Sequence, residues 1–277
     1  MKFIFTLFIL GGLAVGGWYV WDSQPSIRNF IQDKFDGGEF RTLEIRHTAE
    51  QIMGAHKQQL LKNSEYTFLE PKLQFYPYLL MEVKYCKDNH TTGEGVLLWG
   101  LTDGEMVVDT LTWQKTHGFE DCLLAKAEKN DFNVIKTIVE SGGSLDREKL
   151  YQKFKVESDI LDDWIESCRA KKLIALSGNK LRLHFQDPRL EVTPVTRLEE
   201  WLVTIPAKYS VQAKKNYSTA QIKKLTHIVF GNDFAIRKMK EVFLPVYSIS
   251  IQNPDGSTLT THWNALNGKR FEDSASQ

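Results

Sequence analysis

The chain has 277 residues, with 35 basic against 35 acidic side chains, 42% hydrophobic residues and 25% charged. This is ordinary globular composition, and it excludes a disordered chain, a collagen-like fibre and a polytopic membrane protein. A net charge of zero gives no global pull toward nucleic acid, and three cysteines do not close a disulfide framework.

The first element is apolar. Phe3 to Trp21 runs without a charge, and Trp18, Tyr19 and Trp21 gather at its end. A helix of that length is roughly 28 Å long, near the roughly 30 Å of a bilayer core. Residues 1–21 are therefore expected to be a transmembrane anchor. The alternative is a cleaved signal peptide, with Lys2 as its basic start and Ala14-Val15-Gly16 as its small-residue site. Lys2 lies before the span and Asp22 directly after it, which predicts a single-pass cell-membrane protein with its body on the non-cytoplasmic side. Arg28, Lys34 and Arg41 pull the other way, as do three cysteines without an evident pairing. Gly12 and Gly16 form a GxxxG, which would let two spans approach closely as a homodimer.

Beyond the span an internal repeat organises the chain. Thr48-Ala49-Glu50-Gln51 and Ser218-Thr219-Ala220-Gln221 are both capping boxes, each opening an amphipathic stretch. Phe75-Tyr76-Pro77 then matches Phe243-Leu244-Pro245 at the start of β-rich segments. Trp99, Gly104 and Asp109 match Trp263, Gly268 and Asp273 at identical spacing, with the glycines in Asp-Gly and Asn-Gly turns. Each copy (22–129 and 188–277) is expected to be a helix followed by a three-stranded antiparallel meander, an α+β module. That order resembles the cystatin-like and PepSY-like small domains. The resemblance is architectural and carries no activity. The recurring tryptophans are expected in the core, and the recurring aspartates as turn acceptors.

Between the copies, 130–187 reads differently. Phe132, Ile135, Ile138 and Val139 share a helix face that Gly142-Gly143 ends. A second helix is expected to open at Ser144–Glu148. A third is expected from Ser158 to Lys171, with Ile160, Leu161, Trp164, Ile165 and Cys168 on one face. A hairpin turning at Ser177–Lys180 follows. Three helices and a β-hairpin resemble a winged-helix domain over 130–185. In that family the third helix reads DNA, but here it carries Glu157, Asp159, Asp162, Asp163 and Glu166, which repel phosphates. The acidic helix suits protein contacts better.

Positive charge collects elsewhere. Lys208, Lys214, Lys215, Lys223, Lys224, Arg237, Lys238 and Lys240 stand against Asp233 alone, a candidate surface for an anionic lipid, nucleic acid or an acidic partner. It is equally a solvated face that pairs with acidic residues of the first copy. Catalytic patterns are absent: there is no Gly-rich phosphate loop, no H-E-x-x-H, no G-x-S-x-G and no C-x-x-C. Cys86, His90, His117 and Cys122 form a candidate tetrahedral zinc set, with Cys122 and His117 doubling as a candidate nucleophile and base. The commoner outcome for such residues is structural, and no cofactor is expected. The reading as a whole is a non-enzymatic, membrane-tethered protein-interaction or structural protein of an envelope or secretion assembly. Its alternatives are a membrane-linked nucleic-acid-binding regulator using 207–240, and a metal-dependent or cysteine hydrolase.

Overall fold

The computed structural model describes residues 39–86, 91–185, 187–190, 192–199, 202–206, 211–231 and 234–272. The first copy runs β1 (Glu39–Leu43), α1 (Ala49–Ala55), α2 (Lys57–Leu60), β2 (Thr67–Phe68), β3 (Lys72–Cys86), β4 (Thr92–Gly100), β5 (Met106–Asp109) and β6 (Gln114–Lys115). A middle region holds α3 (Phe119–Leu124), α4 (Lys129–Val139), β7 (Ser144–Asp146), α5 (Arg147–Lys153), α6 (Ser158–Ala170), β8 (Ile174–Ser177) and β9 (Lys180–Leu183). The second copy runs β10 (Leu202–Pro206), β11 (Val211–Gln212), α7 (Thr219–Phe230), β12 (Phe234–Gln252) and β13 (Thr258–Asn264).

Local chemistry starts the two repeated helices identically. The Thr48 side chain accepts from Gln51 N at 3.3 Å, and the Gln51 side chain accepts from Thr48 N at 2.9 Å. Ser218 and Gln221 exchange the same two bonds at 3.3 and 2.9 Å. Two otherwise orphaned N–H groups are thus satisfied at each helix start.

The strands of both copies belong to one curled, mixed, ten-stranded sheet, with β10-β1-β12-β3-β4-β5-β6 as its spine. The expectation of two separate meander modules is corrected here, while the α+β class stands. The long strands β3 and β12 lie side by side and antiparallel, with Phe75 opposite Pro245, Tyr76 opposite Leu244 and Pro77 opposite Phe243. Two detached modules would each expose the edge of a long strand, and a shared sheet pairs those edges with each other. The mixed character comes from β1 and β11, which run parallel to the other copy's long strand: Thr42 pairs Phe243, and Gln212 pairs Phe75. Pro77 and Pro245 turn the side of the backbone lacking an N–H toward their own hairpins, so neither breaks the β3–β12 ladder. Their carbonyls accept from Leu101 N and Ala265 N, each at 3.0 Å.

The helices are exchanged between the copies. Arg46 N and His47 N, just before α1, donate to Ala265 O of the second copy at 3.0 and 2.9 Å. Asn216 N and Tyr217 N, just before α7, donate to Leu101 O of the first copy at 2.9 and 3.0 Å. Ile52 of α1 accordingly packs with Ile249 and Trp263. Ile222 and Leu225 of α7 join Leu79, Met81 and Trp99. Alternate residues of the same strands, Tyr76, Tyr78, Leu80, Val242, Leu244 and Val246, line the opposite face inside the curl.

The middle region packs on the first copy's side of the sheet. Phe132, Ile135 and Ile138 of α4 and Leu161, Ile165 and Cys168 of α6 share one core with the strand residues, rather than a core of their own. Strands β7, β9 and β8 form a small antiparallel sheet in that order. Ser144–Asp146, expected to open a helix, is instead extended because Ser144 and Asp146 pair with Arg182 and Lys180; the helix begins at Arg147. Asp131 ties α4 to α6. It accepts from Glu128 N at 2.8 Å, Ser167 Oγ at 2.7 Å and Lys171 Nζ at 2.5 Å.

The membrane expectations need correction. No helix among the described residues is long and apolar enough to cross a membrane. Helix α6, at 13 residues, reaches only roughly 20 Å and bears charges along its length. The single-pass, signal-anchor and membrane-localisation readings are therefore not carried further. Residues 1–21, with Gly12 and Gly16, lie outside the described residues.

Candidate functional site

A cavity of about 680 Å³ opens beside the β4–β5 turn, between the 112–121 segment and the turn after β13. Its chemistry begins at Asp103. Thr102-Asp103-Gly104 makes the turn, with Gly104 at φ +68°. Asp103 Oδ1 accepts from Glu105 N at 3.2 Å, and Oδ2 pairs with Lys115 Nζ at 2.5 Å. A Cβ on Gly100 would stand 2.0 Å from Asp103 Oδ1, so the close approach requires glycine. The Lys115 ammonium lies 4.9 Å from the Phe271 ring centroid and 6.0 Å from that of Tyr78.

Burial by itself would lower Lys115, but neighbouring Tyr78 and Asp103 outweigh it and hold the ammonium above the usual lysine range. Because burial also pushes the Tyr78 phenol up, that ring stays neutral, and Asp103 supplies the counter-charge. A lysine held protonated does not form Schiff bases.

Glu105, a second carboxylate of the cavity, also serves the fold. Helix α3 follows Gly118, which has no capping side chain. Glu105 caps it from the hairpin: Oε1 accepts from Gly118 N at 2.8 Å and Glu120 N at 3.0 Å, and Oε2 from Thr116 Oγ1 at 2.6 Å. Burial raises the Glu105 carboxyl against those bonds. Burial also raises Glu120, which accepts from Tyr217 Oη at 3.0 Å, and Asp121, whose shift His117 partly opposes.

Among the described residues the candidate zinc set does not assemble. Cys122 is buried in the core, and burial, then the charges of Glu105, Asp121 and Asp131, push its thiol up to about 12. Such a thiol supplies almost no thiolate near neutrality. Cys86 is exposed at the far end of β3 opposite Thr92, roughly 26 Å along the strand from Tyr78 at the cavity end. His117 Nδ1 stands 3.2 Å from Asp187 O, and His90 lies outside the described residues. Among the described residues no three His, Cys, Asp or Glu groups are placed to hold a metal ion.

The basic set divides into ion-paired and solvent-exposed residues. Lys215 pairs with Glu241 at 2.6 Å, Arg237 with Glu94 at 3.0 Å and Lys240 with Glu82 at 3.8 Å. Lys214, Lys223, Lys224 and Lys238 are exposed, and Lys208 lies outside the described residues. Trp99 and Trp263 are buried, their indole N–H groups donating to Gly104 O at 2.7 Å and Thr261 Oγ1 at 2.8 Å. Asp109 accepts from Leu111 N and Thr112 N as a turn acceptor; Asp273 lies outside the described residues.

One surface escaped the sequence reading. Helix α6 buries Leu161, Ile165 and Cys168, but Ile160, assigned to that same face, is 43% exposed. Val156 beside it is 39% exposed, and Phe154 meets Trp164 edge-to-face at 5.7 Å. Glu157, Asp159, Asp163 and Glu166 of the same segment are all exposed, with Glu166 paired to Arg169 at 2.7 Å. The i, i+4 spacing of Ile160 and Trp164 is the sequence signal for this surface, and such spacing is the same for a buried face and an exposed one. Comparison with protein-family models, with curated proteins and with solved structures finds no match to the chain.

Proposed function

We propose that the chain is a non-enzymatic protein-interaction protein, and that it docks partners on the exposed face of α6. The observation that carries this is the exposure of Val156 and Ile160, backed by Trp164, on a segment that also exposes Glu157, Asp159 and Asp163. A segment that exposes both apolar and acidic residues is complementary to an amphipathic segment that places apolar residues at i and i+4 and Lys or Arg beside them. The apolar contacts would give affinity, and the carboxylates would steer and orient the segment. The cavity beside the β4–β5 turn supports the same reading, because Asp103 there pairs with Lys115 and Glu105 caps α3.

The test uses an 18-residue Leu/Lys amphipathic helical peptide and the same peptide with Glu for Lys, titrated into the isotope-labelled chain. The Lys peptide should shift amide signals of 154–166, and the Glu peptide should not. Ile160→Glu should lose the binding while the far-UV spectrum is kept. Equal response to both peptides, or unchanged binding by Ile160→Glu, would reject the surface.

A further inference from the structure

A second cavity, of about 570 Å³, lies on the middle region and is built from three elements. Lys149 and Lys153 come from α5, Lys180 from β9, Ser144 from β7, and Ser141 from the connection between α4 and β7. None of these belongs to the basic set that the sequence pattern singles out. They are brought together because β7 pairs with β9, placing Ser144 and Asp146 against Arg182 and Lys180.

The charge balance at this cavity is one-sided. Asp146 is its single acidic lining residue, and it stands 3.7 Å from Lys149. Lys153 Nζ donates to Ser141 Oγ at 3.1 Å, which aims the ammonium along the cavity wall. Ser141 Oγ in turn donates to Thr137 O at 2.8 Å, so that hydroxyl is held in place from α4. Lys180 has no ion pair among the described residues, although Asp146 is its cross-strand neighbour.

We infer that this cavity is a binding site for a small phosphate-bearing ligand. Three ammonium groups suit a tetrahedral anion with several non-bridging oxygens, because lysine acts on phosphate as a point charge from any direction. A planar carboxylate ligand is matched best by the fork of an arginine, and no arginine lines the cavity. The volume exceeds what one phosphate fills, so a diphosphate or a phosphorylated small molecule fits better than the bare ion. A nucleic-acid backbone is disfavoured on two counts. Its phosphates follow a line rather than converging on one cavity, and the carboxylates of α6 lie on the same middle region. The site is independent of the α6 docking surface, since it shares no residue with it.

The probe is inorganic pyrophosphate, titrated into the full chain at low salt by calorimetry and by amide shifts. Binding should be millimolar or tighter, should perturb 141–153 and 180, and should weaken with added salt. The exposed triple Lys149→Gln, Lys153→Gln, Lys180→Gln should weaken it by at least about tenfold, the loss expected when the charges that hold the anion are removed. The control triple Lys214→Gln, Lys223→Gln, Lys224→Gln removes the same charge elsewhere and should leave binding unchanged. Absence of pyrophosphate binding, or equal loss in the two triples, would overturn the site. Tighter binding of a duplex DNA than of pyrophosphate, abolished by the first triple, would overturn it in favour of a polymer surface.

Discussion

Tyr76 lies directly opposite Leu244 in the antiparallel ladder of β3 and β12, and each residue immediately precedes the proline of its own repeat. Equivalent residues that pair with each other mark a local two-fold axis. The same axis relates Thr42–Phe243 to Gln212–Phe75, since Thr42 and Gln212 each stand six residues before their capping residue. The chain therefore folds like an intertwined dimer written in one polypeptide, with each copy's helix covering the other copy's strands.

That exchange predicts one cooperative unit. Ile222 is fully buried on the first copy's strands although it belongs to the second. Ile222→Ala should cost about 2–5 kcal/mol. Urea unfolding followed by tryptophan fluorescence and by far-UV circular dichroism should shift by the same amount, in coincident transitions. Two separated transitions would show that the copies fold as independent modules after all.

The Asp103–Lys115 pair predicts a non-additive mutant cycle. Their side chains are only 8% and 18% exposed, so removing one partner leaves a charge buried beside Tyr78 and Phe271. Lys115→Met alone should cost about 3–5 kcal/mol, and Asp103→Asn with Lys115→Met together should cost less than the sum. Denaturant titration of the four proteins measures the coupling; additive losses would mean that the pair does not act as a unit.

Asp131 predicts an acid-dependent loss. Burial opposes its charge, but hydrogen bonds from Lys171, Glu128 N and Ser167 prevail and hold the carboxyl below the usual aspartate range. A depressed folded pKa stabilises the protein above the unfolded value of about 3.9, and the contribution fades as pH falls through the folded value. Melting temperatures of wild type and Asp131→Asn should differ most near pH 6 and converge below about pH 4. A gap that persists undiminished to pH 2.5 would refute the assignment.

The parts of this fold legible in the sequence are those that neighbours along the chain decide. Thr48 and Ser218 announce their helices because a capping box closes within four residues. Gly104 and Gly268 mark turns because their φ values of +68° and +69° exclude most side chains. The burial of Trp99 and Trp263 follows from their place in hairpin strands. What the sequence left open was which surfaces meet. A strand's alternation says that it has two faces and two edges, not whose strand lies beside it. Only the assembled sheet set Tyr76 against Leu244 and laid α7 over the other copy. The same holds for the charges. Lys215, Arg237 and Lys240 look like a basic cluster in one dimension, yet folding spends them on Glu241, Glu94 and Glu82. Lys149, Lys153 and Lys180 look unrelated and converge, because the β7–β9 pairing closes a loop of more than thirty residues. Ion pairs and cavities depend on distances through space, and those distances exist only once the long-range ladders have formed.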